Sequence, residues 1–91
     1  MAIAVYFHPE QLTASRYNEV ITRLKAADSF PAPGLLHHST FGDPEHLMVF
    51  DVWDSQDSYE KFGQTLMPIL GEIGFDPGEP AVMPVHNMLQ P

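Results

Sequence analysis

The chain has 91 residues, with four Lys/Arg against twelve Asp/Glu and a formal net charge of −8. That length suits one domain, and so acidic a surface excludes nucleic-acid backbones and anionic membranes, which are bound through basic residues. There is no cysteine, so disulfides and thiolate metal sites are excluded as well. A chain this short buries only roughly 60–65% of its surface when folded alone, which leaves oligomerisation as its source of further core. The composition, 44% apolar and 11% aromatic, is that of a packed globular protein.

The first residues, MAIAVYFHPEQ, place no basic residue ahead of the apolar run and reach His8-Pro9 at once, unlike a signal peptide. No apolar stretch approaches the ~20 residues of a membrane span. A soluble, cytoplasmic protein is expected. Ala2–His8 is short, rich in strand formers and bounded by Pro9, which predicts a buried strand. Thr13 or Ser15 then caps a helix in which Tyr17, Val20, Ile21 and Leu24 recur at helical spacing. It ends near Ala27-Asp28, because Pro31, Pro33 and Gly34 cannot continue it.

Leu35–Phe41 predicts a second strand, Gly42-Asp43-Pro44-Glu45 a turn, and His46–Trp53 a third strand, together an antiparallel hairpin. Asp54 or Ser55 caps a second helix with Asp57 in its first turn, where the helix dipole favours a negative charge. Its apolar positions include Tyr59, Phe62, Leu66, Ile69, Leu70 and Ile73. Pro68 predicts a kink or restart, and Gly71 or Gly74 ends the helix. After a Pro- and Gly-rich loop comes a fourth strand over 81–89, where Pro84 argues for an edge position or a bulge.

The order β-α-β-β-α-β, joined by right-handed crossovers, predicts an α+β ferredoxin-like domain over residues 1–91: a four-stranded antiparallel sheet with two helices on one face. The other face is bare. Alternation separates Ile3, Val5 and Phe7 from Ala4, Tyr6 and His8, and Met48, Phe50 and Val52 from Val49, Asp51 and Trp53. Assigning the purely apolar sets to the helices leaves Tyr6, His8, Asp51 and Trp53 on the open face. Such a face is either wetted or covered by a second copy, and a homodimer through sheet-to-sheet packing is the expectation.

The βαββαβ order, the Pro33-Gly34 entry into the second strand, and Val49-Phe50-Asp51-Val52-Trp53-Asp54-Ser55 running into the helix Gln56–Gly63 carry a resemblance. Over essentially the whole chain, they resemble the dimeric α/β-barrel superfamily, in particular its antibiotic-biosynthesis-monooxygenase-like members. Trp53 matches the aromatic of that motif, and Asp51 stands where an acidic residue often stands. Phe62, where many members carry histidine, marks a separate branch, as do Leu66-Met67-Pro68 and the strand end His86-Asn87. The resemblance implies two sheets packed into a barrel, a pocket in each subunit, and cofactor-free oxygenase or isomerase chemistry among the activities of the group.

His37 and His38 point to opposite faces; His38 is assigned to the open face and its pocket. Asp51, on a central strand, needs a donor to stay charged. It reads either as a base or orienter of a histidine, or as a purely structural hydrogen-bond acceptor. Trp53 reads as a pocket wall or an interface anchor, and Tyr6 as a ligand contact or a barrel filler. His86 and Asn87 alternate in face, so one is a pocket candidate. His38, Asp51 and His86 hold no ligand spacing such as HExxH, and no Gly-rich phosphate loop occurs, so neither metal nor cofactor is expected.

The leading reading is a cofactor-independent monooxygenase- or isomerase-like enzyme acting on a small aromatic or polyketide-like compound. In it His38 or His86, oriented by Asp51, takes a proton, while Tyr6, Trp53 and Asn87 contact the ligand. The alternative is a non-catalytic small-ligand-binding or dimerisation module.

Overall fold

The computed structural model describes residues 1–89. Six elements follow in chain order: β1 (Ile3–Phe7), α1 (Ala14–Ala26), β2 (Leu35–Asp43), β3 (His46–Trp53), α2 (Gln56–Ile73) and β4 (Ala81–Pro84). The strands form one antiparallel sheet in the order β2-β3-β1-β4, the ferredoxin-like α+β arrangement. No helix among the described residues is long and apolar enough to cross a membrane.

Local chemistry sets most of the boundaries. Thr13 caps α1 by accepting from the Arg16 N–H, and Ser55 caps α2 by accepting from the Ser58 N–H. Gly74 ends α2 in the left-handed conformation at φ 71°. Asp43 pairs with His46, so Pro44-Glu45 is the whole hairpin loop, tightened where Asp43 Oδ1 accepts from the Glu45 N–H at 2.8 Å.

Two boundaries differ from the sequence reading. α2 runs through Pro68 as one helix; Pro68 and Gln64 are both exposed, so the carbonyl that proline leaves unpaired is on the solvent side of the helix. β4 ends at Pro84 instead of reaching Leu89. Proline has no N–H to extend the ladder, and after one more backbone bond, from Val85 to Ala2, the chain leaves the sheet.

The third difference concerns faces. In the β1–β3 register Ile3 lies opposite Trp53, Val5 opposite Asp51 and Phe7 opposite Val49, and directly opposed residues share a face. Trp53 and Asp51 therefore lie beneath the helices with Ile3 and Val5, not on the open face. The open face instead carries Tyr6, Met48, Phe50 and Phe41. In the core Ile3, Val5, Ala32 and fully buried Trp53 form one cluster; Val20, Leu24 and Leu70 form another, and Phe62 packs against both.

Candidate active site

Between the sheet and the two helices lies a cavity of about 80 Å³. Of its 16 lining residues only Tyr17, His38 and Asp51 have polar side chains, so any side-chain hydrogen bond to an occupant comes from these three. Phe7, Val49, Phe30 and Phe62 are among the apolar walls. An apolar pocket with a few convergent polar groups is the usual form of a small-molecule site.

The three polar groups form one hydrogen-bonded chain. A bulge at the start of β2 lets Leu35 and His38, three residues apart, face the helices together: Leu35 lies opposite Trp53 and His38 opposite Asp51. His38 Nδ1 lies 2.5 Å from Asp51 Oδ1, and His38 Nε2 lies 2.7 Å from the Tyr17 hydroxyl. Asp51 is 6% exposed, and a carboxylate so far from water persists as an anion only with a donor beside it. An ionised carboxylate can only accept, so Nδ1 carries the proton, and Nε2 accepts from the Tyr17 O–H.

Packing holds the imidazole. The edge of Phe30 meets it at 5.2 Å and 78°, and the Tyr17 ring lies nearly parallel to it at 6.0 Å and 7°. Burial pushes the Tyr17 phenol above its ordinary value near 10 and the Asp51 charge adds to the rise, while the Thr40 hydroxyl acts the other way. Burial likewise raises Tyr59, with Asp51 again adding. The neutral phenol, the form that donates to His38, is thereby favoured. Thr40 Oγ1, two residues along β2 from His38 and on the same face, is buried and makes no hydrogen bond among the described residues.

A wider, polar hollow between the β1–α1 and α2–β4 loops shares Pro9 and Phe75 with the cavity. Phe75 stands between the two spaces. Arg16 holds it there, with its guanidinium 5.7 Å from the ring centre and a 2.9 Å hydrogen bond to the Ile73 carbonyl.

The sequence-derived site residues divide. His38 and Asp51 are in contact at the cavity, so His38, like Asp51, lies beneath the helices and not on the open face expected for it, because the two are paired across β2 and β3. Trp53 lies beneath it, packed on Phe62 at 5.1 Å, and supports the wall without lining it; its Nε1 has no partner among the described residues. Tyr6 is on the opposite face, donating to Met48 Sδ at 3.2 Å. His86 and Asn87 are exposed beyond β4 and do not line the cavity. The residue that sequence reasoning missed is Tyr17, taken there as one more apolar-face position of α1. The available signal was its hydroxyl: a tyrosine on a buried helix face needs a polar partner. Among the described residues no group of three or more His, Asp or Glu side chains is placed to hold a metal ion.

No protein-family model matches the chain, and no curated protein matches it. Solved structures do. A Chloroflexus aurantiacus protein named for antibiotic biosynthesis monooxygenase superposes with a TM-score of 0.68 at 13% identity, covering 99% of this chain and 98% of that one. SnoaB, a cofactor-independent oxygenase from Streptomyces nogalater, gives 0.61 at 14% identity over 97% and 94% of the two chains. A Streptomyces coelicolor monooxygenase in complex with nanaomycin D gives 0.58 at 17% identity over 99% and 90%. The chain thus has the ferredoxin-like α+β fold of antibiotic-biosynthesis-monooxygenase-like structures.

Proposed function

We propose that the cavity binds a compact phenol or enol and that the Asp51–His38 pair accepts its acidic proton, the first step of a cofactor-independent monooxygenase-like or isomerase-like reaction. The observation that carries this reading is the Asp51–His38–Tyr17 chain, which supplies all the polar side chains of an otherwise apolar cavity. Loss of the proton leaves an electron-rich anion. Reprotonation at another carbon makes an isomer; reaction with dioxygen gives a quinone, one oxygen atom entering the ring and the other leaving as water. The likeness in fold to a cofactor-independent oxygenase and to a monooxygenase in complex with nanaomycin D supports the second branch. The small volume favours a ligand of about one ring over a fused polyketide.

The assembly proposed is a cytoplasmic homodimer in which the open sheet faces pack together. Phe41 (44% exposed) on this face and Met83 (55%), opposite Ala4 in the β1–β4 register, leave apolar surface uncovered, and a chain of this size gains core from a partner. The alternative, a non-catalytic ligand-binding module, draws support from one feature: both ring nitrogens of His38 already have partners.

Hydrogen–deuterium exchange separates the two. In D2O, small enolisable ketones and activated phenols are incubated with the protein, and exchange at the acidic C–H is followed by NMR. The enzyme reading expects accelerated exchange that falls by about 10²-fold or more in Asp51→Asn, the usual scale of general-base catalysis. Ligands that bind, shown by thermal shift, without exchange in either protein would leave the binding-module reading.

A further inference from the structure

His38 does not present a free nitrogen to the cavity. Nδ1 is engaged by Asp51 and Nε2 by Tyr17, while Phe30 packs against the imidazole at 5.2 Å and the Tyr17 ring lies beside it, nearly parallel. Asp51 is nearly inaccessible and commits its nearer oxygen to His38. Tyr17 is different. Its single proton goes to Nε2, and its oxygen keeps lone pairs with which to accept from an occupant of the cavity it lines. Thr40 adds an independent observation: a buried hydroxyl that makes no hydrogen bond among the described residues, on the same face of β2 as His38 and close enough to Tyr17 to oppose the rise of its pKa. A donor left idle in the resting protein is of use when negative charge develops on the Tyr17 oxygen.

We propose that Tyr17 is the catalytic group that touches the ligand, its phenol oxygen taking the acidic proton while its own proton passes to His38. This rests on the reading of the cavity as a proton-abstraction site. The step balances as a relay: the ligand O–H or C–H bond breaks and its electron pair stays on the ligand. A new O–H bond forms at Tyr17, the former Tyr17 proton becomes the Nε2–H of His38, and the imidazolium remains paired with the Asp51 carboxylate. Tyr17 is neutral before and after, so no free tyrosinate accumulates. The charge that appears at the ligand is matched by the charge that appears on His38.

The probe is 4-nitrophenol, a single-ring phenol whose anion is seen by its visible absorbance, compared in wild type, Tyr17→Phe and Asp51→Asn at matched occupancy set by equilibrium dialysis. The expected result is a bound probe that is ionised in wild type. In Tyr17→Phe, at the same occupancy, its anion-to-neutral ratio should be lower by about tenfold or more, one unit of probe pKa. Asp51→Asn should lower that ratio with Tyr17 intact. Probe ionised to the same extent in Tyr17→Phe, or neutral in wild type, overturns the relay while leaving a ligand cavity. Probe bound by none of the three proteins overturns the cavity reading itself, and the relay with it. A second measurement needs no variant: 15N NMR of neutral His38 must show a protonated Nδ1 and a bare Nε2, and a proton on Nε2 would refute the relay.

Discussion

Replacing His38 by alanine should expose the energetics of the buried pair more directly than any change at Asp51. Asp51 is 6% exposed, and His38 is its 2.5 Å partner, so His38→Ala strands a carboxylate among the helix-side walls. Removing one member of a buried pair typically costs about 3–5 kcal/mol, a large share of the 5–15 kcal/mol that holds an ordinary domain together. Asp51→Asn is milder. The amide oxygen still accepts from Nδ1–H, and the loss is about 1–2 kcal/mol, the difference between a charge-assisted and a neutral hydrogen bond. Combining the two should recover stability: in the His38→Ala background an asparagine carries no charge to strand, leaving about 1–2 kcal/mol for the lost ring packing on Phe30 and Tyr17. Urea denaturation of the four proteins, at one fixed protomer concentration because association would contribute, gives the cycle. If Asp51→Asn destabilises the His38→Ala protein as much as it does the wild type, the carboxylate is not dependent on His38, and the argument for an oriented imidazole fails.

Burial favours the neutral phenols of Tyr17 and Tyr59, so their contribution to stability is full below about pH 10 and is lost as pH rises through their raised folded values. Ultraviolet titration should show both ionising later than free tyrosine, and earlier in Asp51→Asn; no change in that variant would remove Asp51 as a cause. Gly34→Ala should destabilise by about 2 kcal/mol or more in thermal denaturation. Gly34 has φ +88°, and an added Cβ would sit 2.5 Å from Ser58 Oγ and 2.7 Å from Asp54 Oδ1; a neutral substitution would contradict this packing. Light scattering should give about twice the 10.2 kDa chain mass, reduced toward the monomer by Phe41→Arg on the open face. Trp53 emission should stay that of a buried indole in that monomer, because Trp53 is enclosed by its own chain; a shift to exposed emission on dissociation would place it at the interface instead.

Most of what the order of amino acids dictates here is local. The caps at Thr13 and Ser55, the Asp43-Pro44-Glu45 turn and the strand-forming runs act within a few residues of themselves, so element order and the ferredoxin-like arrangement could be read without coordinates. Asp51 and His38 were also legible as a pair, because a short hairpin turn limits how β2 and β3 can align. The assignment of faces was not. Alternation sorts a strand into two sets but does not say which set lies beneath the helices. In β3 the mixed set Val49, Asp51 and Trp53 lies inside because Phe7, Val5 and Ile3 pair with it. The bulge beside Leu36 further changes the phase between Leu35 and His38, a one-residue effect that no propensity marks. Tyr17 was hidden for another reason. It meets His38 across the space between helix and sheet, where the contact depends on how α1 is laid over β2, and only the packing of the whole chain decides that.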